Sequence, residues 1–178
     1  GYAFEQKLNS NTRGYLDKQL KDYAADEKAA NIPLMFFNSV VTRDSRKMVV
    51  STQPVRFMMR NIQDSTRVPA SDPDAIDFTS FFAKQDPYSL RILTALRMNA
   101  TFPIVLPNVW LPSDPVIDVM DAGLRDNYGQ ETALRFMQAF DDWIRENTGG
   151  VLILQIRDRG AGAWEFPYLS DDMSDHLT

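Results

Sequence analysis

Residues 116–130, with the sequence VIDVMDAGLRDNYGQ, contain the pattern that decides the fold class. The apolar and β-branched run at its start predicts a strand that ends at Asp121. Asn127 is followed three residues later by Gln130, which is the spacing of a capping box and predicts that a helix starts at Asn127. A strand, a short loop and a helix are the first three parts of a βαβ unit.

The sequence after residue 130 continues this pattern. Apolar residues recur at helical spacing from Leu134 to Ile144, which predicts a long amphipathic helix that Thr-Gly-Gly ends at residues 148–150. Residues 151–156, VLILQI, form a short apolar run that is typical of a buried parallel strand. We therefore predict an α/β fold with a βαβ unit in its second half.

The first half of the chain predicts a β-hairpin after a helical segment. Residues 34–42 and 47–51 are rich in β-branched and aromatic residues, and the charged residues 43–46 between them are turn-prone, so we expect an antiparallel hairpin. Residues 12–30 have apolar positions at helical spacing and predict a surface helix. Residues 60–77 are punctuated by Asp, Asn, Ser and Pro, which predicts a loop.

A second helix is predicted before the strand that carries Asp121. The Asp-Pro pair at residues 86–87 indicates a helix start, and the apolar positions between Leu90 and Leu96 form its buried stripe. This helix is expected to end near Asn99. Several prolines then break residues 102–115 into extended segments.

Composition excludes several classes of protein. The 178 residues, 44% hydrophobic and 24% charged, are typical of one globular domain, and no apolar run approaches the ~20 residues of a membrane helix. The absence of cysteine excludes disulfides, a thiol nucleophile and cysteine metal sites. The net charge is −5, and residues 90–178 carry 7 Lys and Arg against 13 Asp and Glu, which disfavours a nucleic-acid partner.

Asp121 is the residue of the strand-loop-helix pattern that is placed for chemistry. In open α/β sheets, ligands gather at the carboxyl ends of strands. Ala122 and Gly123 are small and leave room for another loop beside the carboxylate. The same three residues are also typical of a tight turn, so a purely structural role for Asp121 stays open.

Other uses of the carboxylates fit the sequence less well. A phospho-acceptor Asp needs a later lysine, and none follows Lys84. A Ser/His/Asp triad needs a histidine within the fold, whereas the single His176 lies in a polar tail. A metal site of Asp114, Asp118 and Asp121 stays open, although alternation along a strand sends neighbouring positions to opposite faces. The terminal group, which we expect to be solvated, consists of Asp171, Asp172, Asp175 and His176.

Several segments, taken in order, resemble the second half of the patatin-like phospholipases. They are RMNATFP at residues 97–103, a proline-rich link, a short strand, and DAGLRDNYG at residues 121–129. The hairpin with Asp44 at its turn is also similar. The resemblance covers residues 33–158 and implies part of a three-layer α/β sheet with flanking helices, with residues 1–31 as a helical lead-in and residues 159–178 as a tail.

The resemblance implies a Ser/Asp dyad that cleaves acyl esters of phospholipids and related lipids without a metal or other cofactor. Asp121 matches the Asp that acts directly on the serine, Ala122 and Gly123 match its turn, and Asn127 matches the residue that opens the next helix. Ala122 departs from the commonest Asp-Gly-Gly form. Whether esterase, phospholipase or transacylase activity dominates stays open.

The nucleophile of such a dyad is absent from the sequence. The family places it in a Gly-x-Ser-x-Gly elbow, and no Gly-x-Ser occurs in these 178 residues. We expect the chain to be the C-terminal portion of a patatin-like domain that is inactive alone. Its partners would be a lipid or acyl ester in the parent protein, and either the missing N-terminal half or a homo-oligomeric edge contact.

A noncatalytic α/β interaction module is the alternative function. Asp121 would then only close a turn, and an exposed sheet edge would pair with a partner. No signal peptide or membrane span is recognised in the sequence, so we expect a soluble chain. Association of the parent with a membrane surface stays open.

Overall fold

A five-stranded mixed sheet with helices on both faces forms the centre of the computed structural model, which describes residues 1–60, 72–102 and 105–156. The strands are β1 (Phe36–Val41), β2 (Lys47–Ser51), β3 (Ala75–Asp77), β4 (Val109–Leu111) and β5 (Ile117–Asp121), in the order β3-β2-β1-β5-β4. The helices are α1 (Tyr2–Asn11), α2 (Ala24–Lys28), α3 (Phe78–Phe81), α4 (Ile92–Ala100), α5 (Gln130–Ala139) and α6 (Asp141–Asn147). The predicted α/β class is confirmed.

β1 and β2 form the predicted antiparallel hairpin, with Val40 opposite Lys47 at the end of the ladder. The turn between them is fixed by Asp44, whose carboxylate accepts a hydrogen bond from the backbone N–H of Arg46 at 3.0 Å. Such side-chain bonds to a nearby N–H are the usual means by which aspartate stabilises a tight turn. The prediction of a hairpin over residues 34–51 is confirmed.

The remaining strands extend this hairpin on both sides. β5 lies antiparallel to β1 and to β4, whereas β3 lies parallel to β2. Ala75 and Asp77 of β3 are buried, so the prediction of a loop over residues 60–77 was wrong at its C-terminal end. A loop-like composition did not exclude a short strand there, because β2 offered a free edge. Residues 61–71 lie outside the described residues.

Each face of the sheet carries its own apolar cluster. Met48 and Val50 of β2 point to the side where α4 packs, and Val49 between them points to the side where α5 packs. The larger cluster, on the α4 side, consists of Leu20, Val41, Met48, Val50, Phe78, Phe82, Ile92, Ala95, Met98, Val109, Leu111 and Val119. The smaller cluster, on the α5 side, consists of Val49, Val55, Met58, Met59 and Ala75. The sheet is therefore the middle of three layers.

Helix boundaries differ from the predictions in the first half. The single helix predicted over residues 12–30 was wrong, because α1 ends at Asn11 and α2 begins only at Ala24. Arg13 and Gly14 have φ values of 52° and 79°, which a helix does not allow. The intervening chain carries Leu20 into the core in a short 3₁₀ turn.

The Asp-Pro pair at residues 86–87 begins a 3₁₀ turn rather than the predicted helix. Asp86 has a φ of 48°, and α4 starts later, at Ile92. Downstream, the long helix predicted up to residue 148 is broken at Phe140 into α5 and α6. Its apolar spacing did not show this break, since both pieces keep the same periodicity.

Residues 151–156 do not form the predicted buried strand. They have no strand assignment and pair with none of the described strands, and Leu152 and Leu154 are 93% and 81% exposed. The predicted βαβ unit is therefore absent from the described residues, and the α/β class arises from the mixed sheet instead. Within the described ranges, no helix combines the length and the apolar character that crossing a bilayer requires.

Candidate functional site

Asp121 is the last residue of β5 and lies on the α4 side of the sheet. Its backbone N–H donates to the carbonyl of Thr101 at 2.7 Å, which joins the strand end to the end of α4. Its cross-strand neighbour on β1 is Ser39. Directly opposite residues share a face of the sheet, and Val41, two residues from Ser39, belongs to the cluster beneath α4. The strand end predicted from the sequence is therefore confirmed.

The carboxylate of Asp121 is held in one orientation and is half-buried. Its Oδ1 accepts a hydrogen bond from the backbone N–H of Gly123 at 2.6 Å. Among the described residues no second donor reaches this carboxylate, so Oδ2 is available to a group that approaches from outside. A positioned carboxylate with one open oxygen has the geometry of a general base.

Ala122 and Gly123 form the turn that follows. Ala122 is buried and begins a 3₁₀ turn, Ala122–Leu124. A Cβ on Gly123 would lie 2.9 Å from Asp121 Oδ1 and 3.0 Å from Asn127 Oδ1. Glycine is needed here because two polar side chains approach its backbone, rather than because of an unusual φ.

Asn127 does not cap the following helix, so that prediction was wrong. Gly129 has a φ of 69° and turns the chain before α5 begins at Gln130. The capping is done by the Asp126 carboxylate, which accepts hydrogen bonds from the backbone N–H groups of Glu131 and Thr132, both at 3.0 Å. The capping-box spacing failed because the glycine turn moves the N-cap by two residues, from Asn127 to Gly129.

A buried lysine lies beneath the start of α5. Lys47 is 1% exposed, and its Nζ donates to Thr132 Oγ1 at 2.9 Å and to Asp126 Oδ2 at 3.2 Å. Glu131 Oε2 lies 3.4 Å from the same ammonium. The Thr132 hydroxyl is also 3.2 Å from Asn38 Oδ1. This network joins β1, β2 and α5 and anchors the far end of the loop that follows Asp121.

Asp126 is the charged partner that lets Lys47 stay buried. Burial alone raises the pKa of Asp126, but the N–H groups of Glu131 and Thr132 and the charge of Lys47 outweigh it, so the pKa lies below its ordinary value. The carboxylate is therefore ionised at neutral pH. Removing Lys47 would leave the Asp126 carboxylate buried without its ion-pair partner, which is the costly case for a buried ion pair.

A second ion cluster, formed by Asp74, Arg125 and Arg135, lies next to this network. Arg135 is buried, and its Nη1 donates to Asp74 Oδ1 at 2.8 Å and to the Met58 carbonyl at 2.9 Å. Asp74 also binds Arg125 Nη2, at 3.0 Å. The hydrogen bond from Arg135 is the main cause that lowers the pKa of Asp74. Arg125 lies in the loop between Asp121 and Asp126, so this cluster anchors that loop to the residues before β3.

Sequence reasoning missed Lys47 and Arg135. The only signal for Lys47 was its position at the start of a strand whose other residues are nearly all apolar. Arg135 sits at the i+4 position from Glu131, which predicts an exposed helix pair rather than a buried one.

The other carboxylates near Asp121 in the sequence do not form a cluster with it. Asp118 faces the opposite side of β5, where Thr42 Oγ1 and Asn108 Nδ2 both donate to it at 2.6 Å. Asp114 is exposed in the loop before β5. Within the described ranges, no group of three or more Asp, Glu or His side chains is arranged to hold a metal ion. The terminal residues Asp171, Asp172, Asp175 and His176 lie outside the described residues.

Ser39 is the serine that the ladder places beside Asp121, yet it is closed to substrate. Its side chain is 1% exposed, and its hydroxyl has no hydrogen-bond partner in the described part of the chain. A nucleophile must reach the ester carbonyl directly. Ser39 lies under α4 and does not meet this condition.

No family model, curated protein or solved structure matches this chain.

Proposed function

We propose that the chain is the C-terminal portion of a patatin-like lipid acyl hydrolase and contributes the Asp of a Ser/Asp dyad. The observation that carries the proposal is the Asp121 carboxylate, fixed at the end of β5 by Gly123 with one oxygen open. The order of motifs around it, from the helix that ends in RMNATFP to DAGLRDNYG, supports the same assignment.

In this proposal Asp121 acts as the general base. Its open oxygen takes the proton of the nucleophilic serine as the serine oxygen attacks the acyl carbonyl. Asp121 then returns that proton to the leaving alcohol, and in the second step it activates the water that releases the acyl group. No imidazole is needed, in keeping with the single histidine at position 176.

The serine and the oxyanion donors would come from a segment outside residues 1–178. The absence of any Gly-x-Ser and the burial of Ser39 both support this division of the site. The N-terminal half of the domain would also cover the apolar run at 151–156, where Leu152 and Leu154 are exposed. Contiguous exposed apolar side chains of this kind mark an interaction surface.

The experiment is an Asp121→Asn substitution in the longer parent protein, assayed on short acyl esters. The amide keeps the shape and the bond from Gly123 but takes no proton. We expect activity to fall about 10⁴-fold, the scale seen when a triad carboxylate becomes an amide. Asp118→Asn is the matched control, because Asp118 lies on the same strand and faces the other side. Its activity should stay within a few-fold of the parent.

Retention of activity in Asp121→Asn with an intact fold would contradict the proposal. So would an upstream reading frame that lacks a Gly-x-Ser-x-Gly on a strand-to-helix turn. These outcomes would favour the second candidate, a noncatalytic interaction module. That candidate is supported by the exposed apolar run at residues 151–156 and by the turn that Asp121 closes with Gly123.

A further inference from the structure

A cavity lies apart from Asp121, at the end of the sheet near α2 and α5. It has a volume of about 860 Å³, which is within the range of small-molecule sites. Phe36 of β1 lines it, and Phe36 packs with the cluster on the α5 side of the sheet. Neither Asp121 nor any other residue of β5 is among the residues that line the cavity. We call this cavity the Glu27 groove.

Glu27 is the acidic residue among the described residues that line the groove. It is 6% exposed, and its Oε2 accepts hydrogen bonds from Thr52 Oγ1 and from Gln53 Nε2. Its Oε1 is also buried, and no donor in the described part of the chain reaches it. A buried carboxylate oxygen without a donor costs free energy of folding, because buried polar atoms are normally hydrogen-bonded. A ligand that donates to Oε1 would remove this cost.

The rest of the groove is mainly aromatic. Phe136 stands between Phe36 and Phe140, with ring centroids 5.6 and 4.8 Å away, and Phe57 meets Phe140 edge-on at 5.4 Å. Phe57 and Phe140 are partly exposed at the mouth. A row of rings offers apolar contact along its length and favours a cation over its faces.

We propose that the Glu27 groove binds an apolar primary amine, with its ammonium at Glu27 and its hydrocarbon body along the phenylalanine rings. The ammonium carries three N–H donors, one of which would satisfy Oε1. Charge-assisted hydrogen bonds to a carboxylate are about twice as strong as neutral ones. An ion that also lies near aromatic faces gains a further attraction.

The two lysines at the groove do not make an anionic ligand favourable. Lys21 and Lys28 line the groove but are exposed, so their charges are screened by solvent. A fatty acid would gain little from them and would bring a second carboxylate toward Glu27. A neutral alcohol would donate a single hydrogen bond to Oε1 and would lack the attraction between two opposite charges.

The test is calorimetric titration of the full chain with n-octylammonium, with octanoate and octanol as probes of equal length. We expect octylammonium to bind at least about tenfold more tightly than either, the lower end for a hydrogen bond to a charged group. Glu27→Gln keeps the size of the side chain and removes its charge, and should abolish this preference. Tighter binding of octanoate, or equal binding of all three probes, would overturn the proposal.

Asp26→Asn is the matched control, since it removes a carboxylate charge from α2 at an exposed position that does not line the groove. It should retain the preference for octylammonium, and circular dichroism should show that both variants fold. Phe140→Ala, at the exposed mouth, should weaken all three probes alike. Loss of the preference in Asp26→Asn with an intact fold, or its survival in Glu27→Gln, would show that Glu27 does not hold the ligand.

Discussion

β2 and residues 151–156 have similar composition and opposite surroundings. Both runs are short and mostly apolar with β-branched residues. β2 is buried at every position between β1 and β3, whereas Leu152 is 93% exposed and pairs with no described strand. The difference lies in available partners rather than in propensity, since strand preference is mainly a measure of packing context. An apolar run becomes a strand only where a free edge exists.

The same comparison explains how the candidate site is divided. Asp121, its turn and the network around Lys47 belong to the region of the paired strands and are held there by hydrogen bonds. The apolar run at 151–156 lies outside the paired strands, and its leucines are exposed. In the proposed function, one missing segment provides both the nucleophile and the cover for that run.

The largest expected effect comes from Lys47→Met, which disrupts the buried ion pair with Asp126. It leaves the buried Asp126 carboxylate without its ion-pair partner, for a loss of about 3–5 kcal/mol in the free energy of unfolding. Urea denaturation of the chain measures it. Lys84→Met, at an exposed position, should change stability by no more than about 0.5 kcal/mol. Equal effects of the two substitutions would contradict a supporting role for Lys47.

A pair of alanine substitutions compares the two runs directly. Met48→Ala opens a cavity in the core beneath α4 and should cost about 2–5 kcal/mol. Leu154→Ala removes an exposed side chain and should cost no more than about 0.5 kcal/mol. If Leu154→Ala destabilised the chain as much as Met48→Ala, the side chain of Leu154 would be buried in a core. The difference in burial between β2 and residues 151–156 would then be wrong.

A smaller effect is expected from acid. The pKa values of Asp126 and Asp74 are lowered in the fold, so both bind protons more readily when the chain is unfolded. Their contribution is complete above the unfolded aspartate pKa of about 3.9 and is lost as the pH falls through the lower folded values. Stability should therefore decrease below about pH 4. Urea midpoints between pH 7 and pH 3 test this, and Asp74→Asn should flatten the acid limb. An unchanged limb in that variant would contradict the role of the pair with Arg135.

Local signals predicted the parts of the fold that local chemistry determines. The hairpin follows from two β-branched runs around Asp44, and the strand end at Asp121 follows from its apolar lead and small successors. The run at 151–156 was misassigned because burial depends on a partner that a periodicity pattern does not contain. Lys47 was missed because a lysine in a strand is normally exposed, and only the fold shows that Asp126 returns to meet it.

Asn127 shows how two local signals compete. Its capping-box spacing to Gln130 was correct as a pattern, but Gly129 takes a left-handed conformation and moves the helix start. Asp126, one residue earlier, becomes the acceptor for the first N–H groups of α5. Sequence spacing alone does not show whether a glycine turn or a capping residue determines where the helix starts.

In the proposed function, Asp121 activates a serine located outside this chain. The most direct measurement is labelling of the longer parent protein with a fluorophosphonate, which bonds covalently to an activated serine, followed by mass-spectrometric mapping of the labelled peptide. We predict one labelled serine, upstream of Gly1, and loss of labelling in Asp121→Asn but not in Asp118→Asn. Labelling of Ser39 or another serine within residues 1–178, or labelling that persists in Asp121→Asn, would contradict the account.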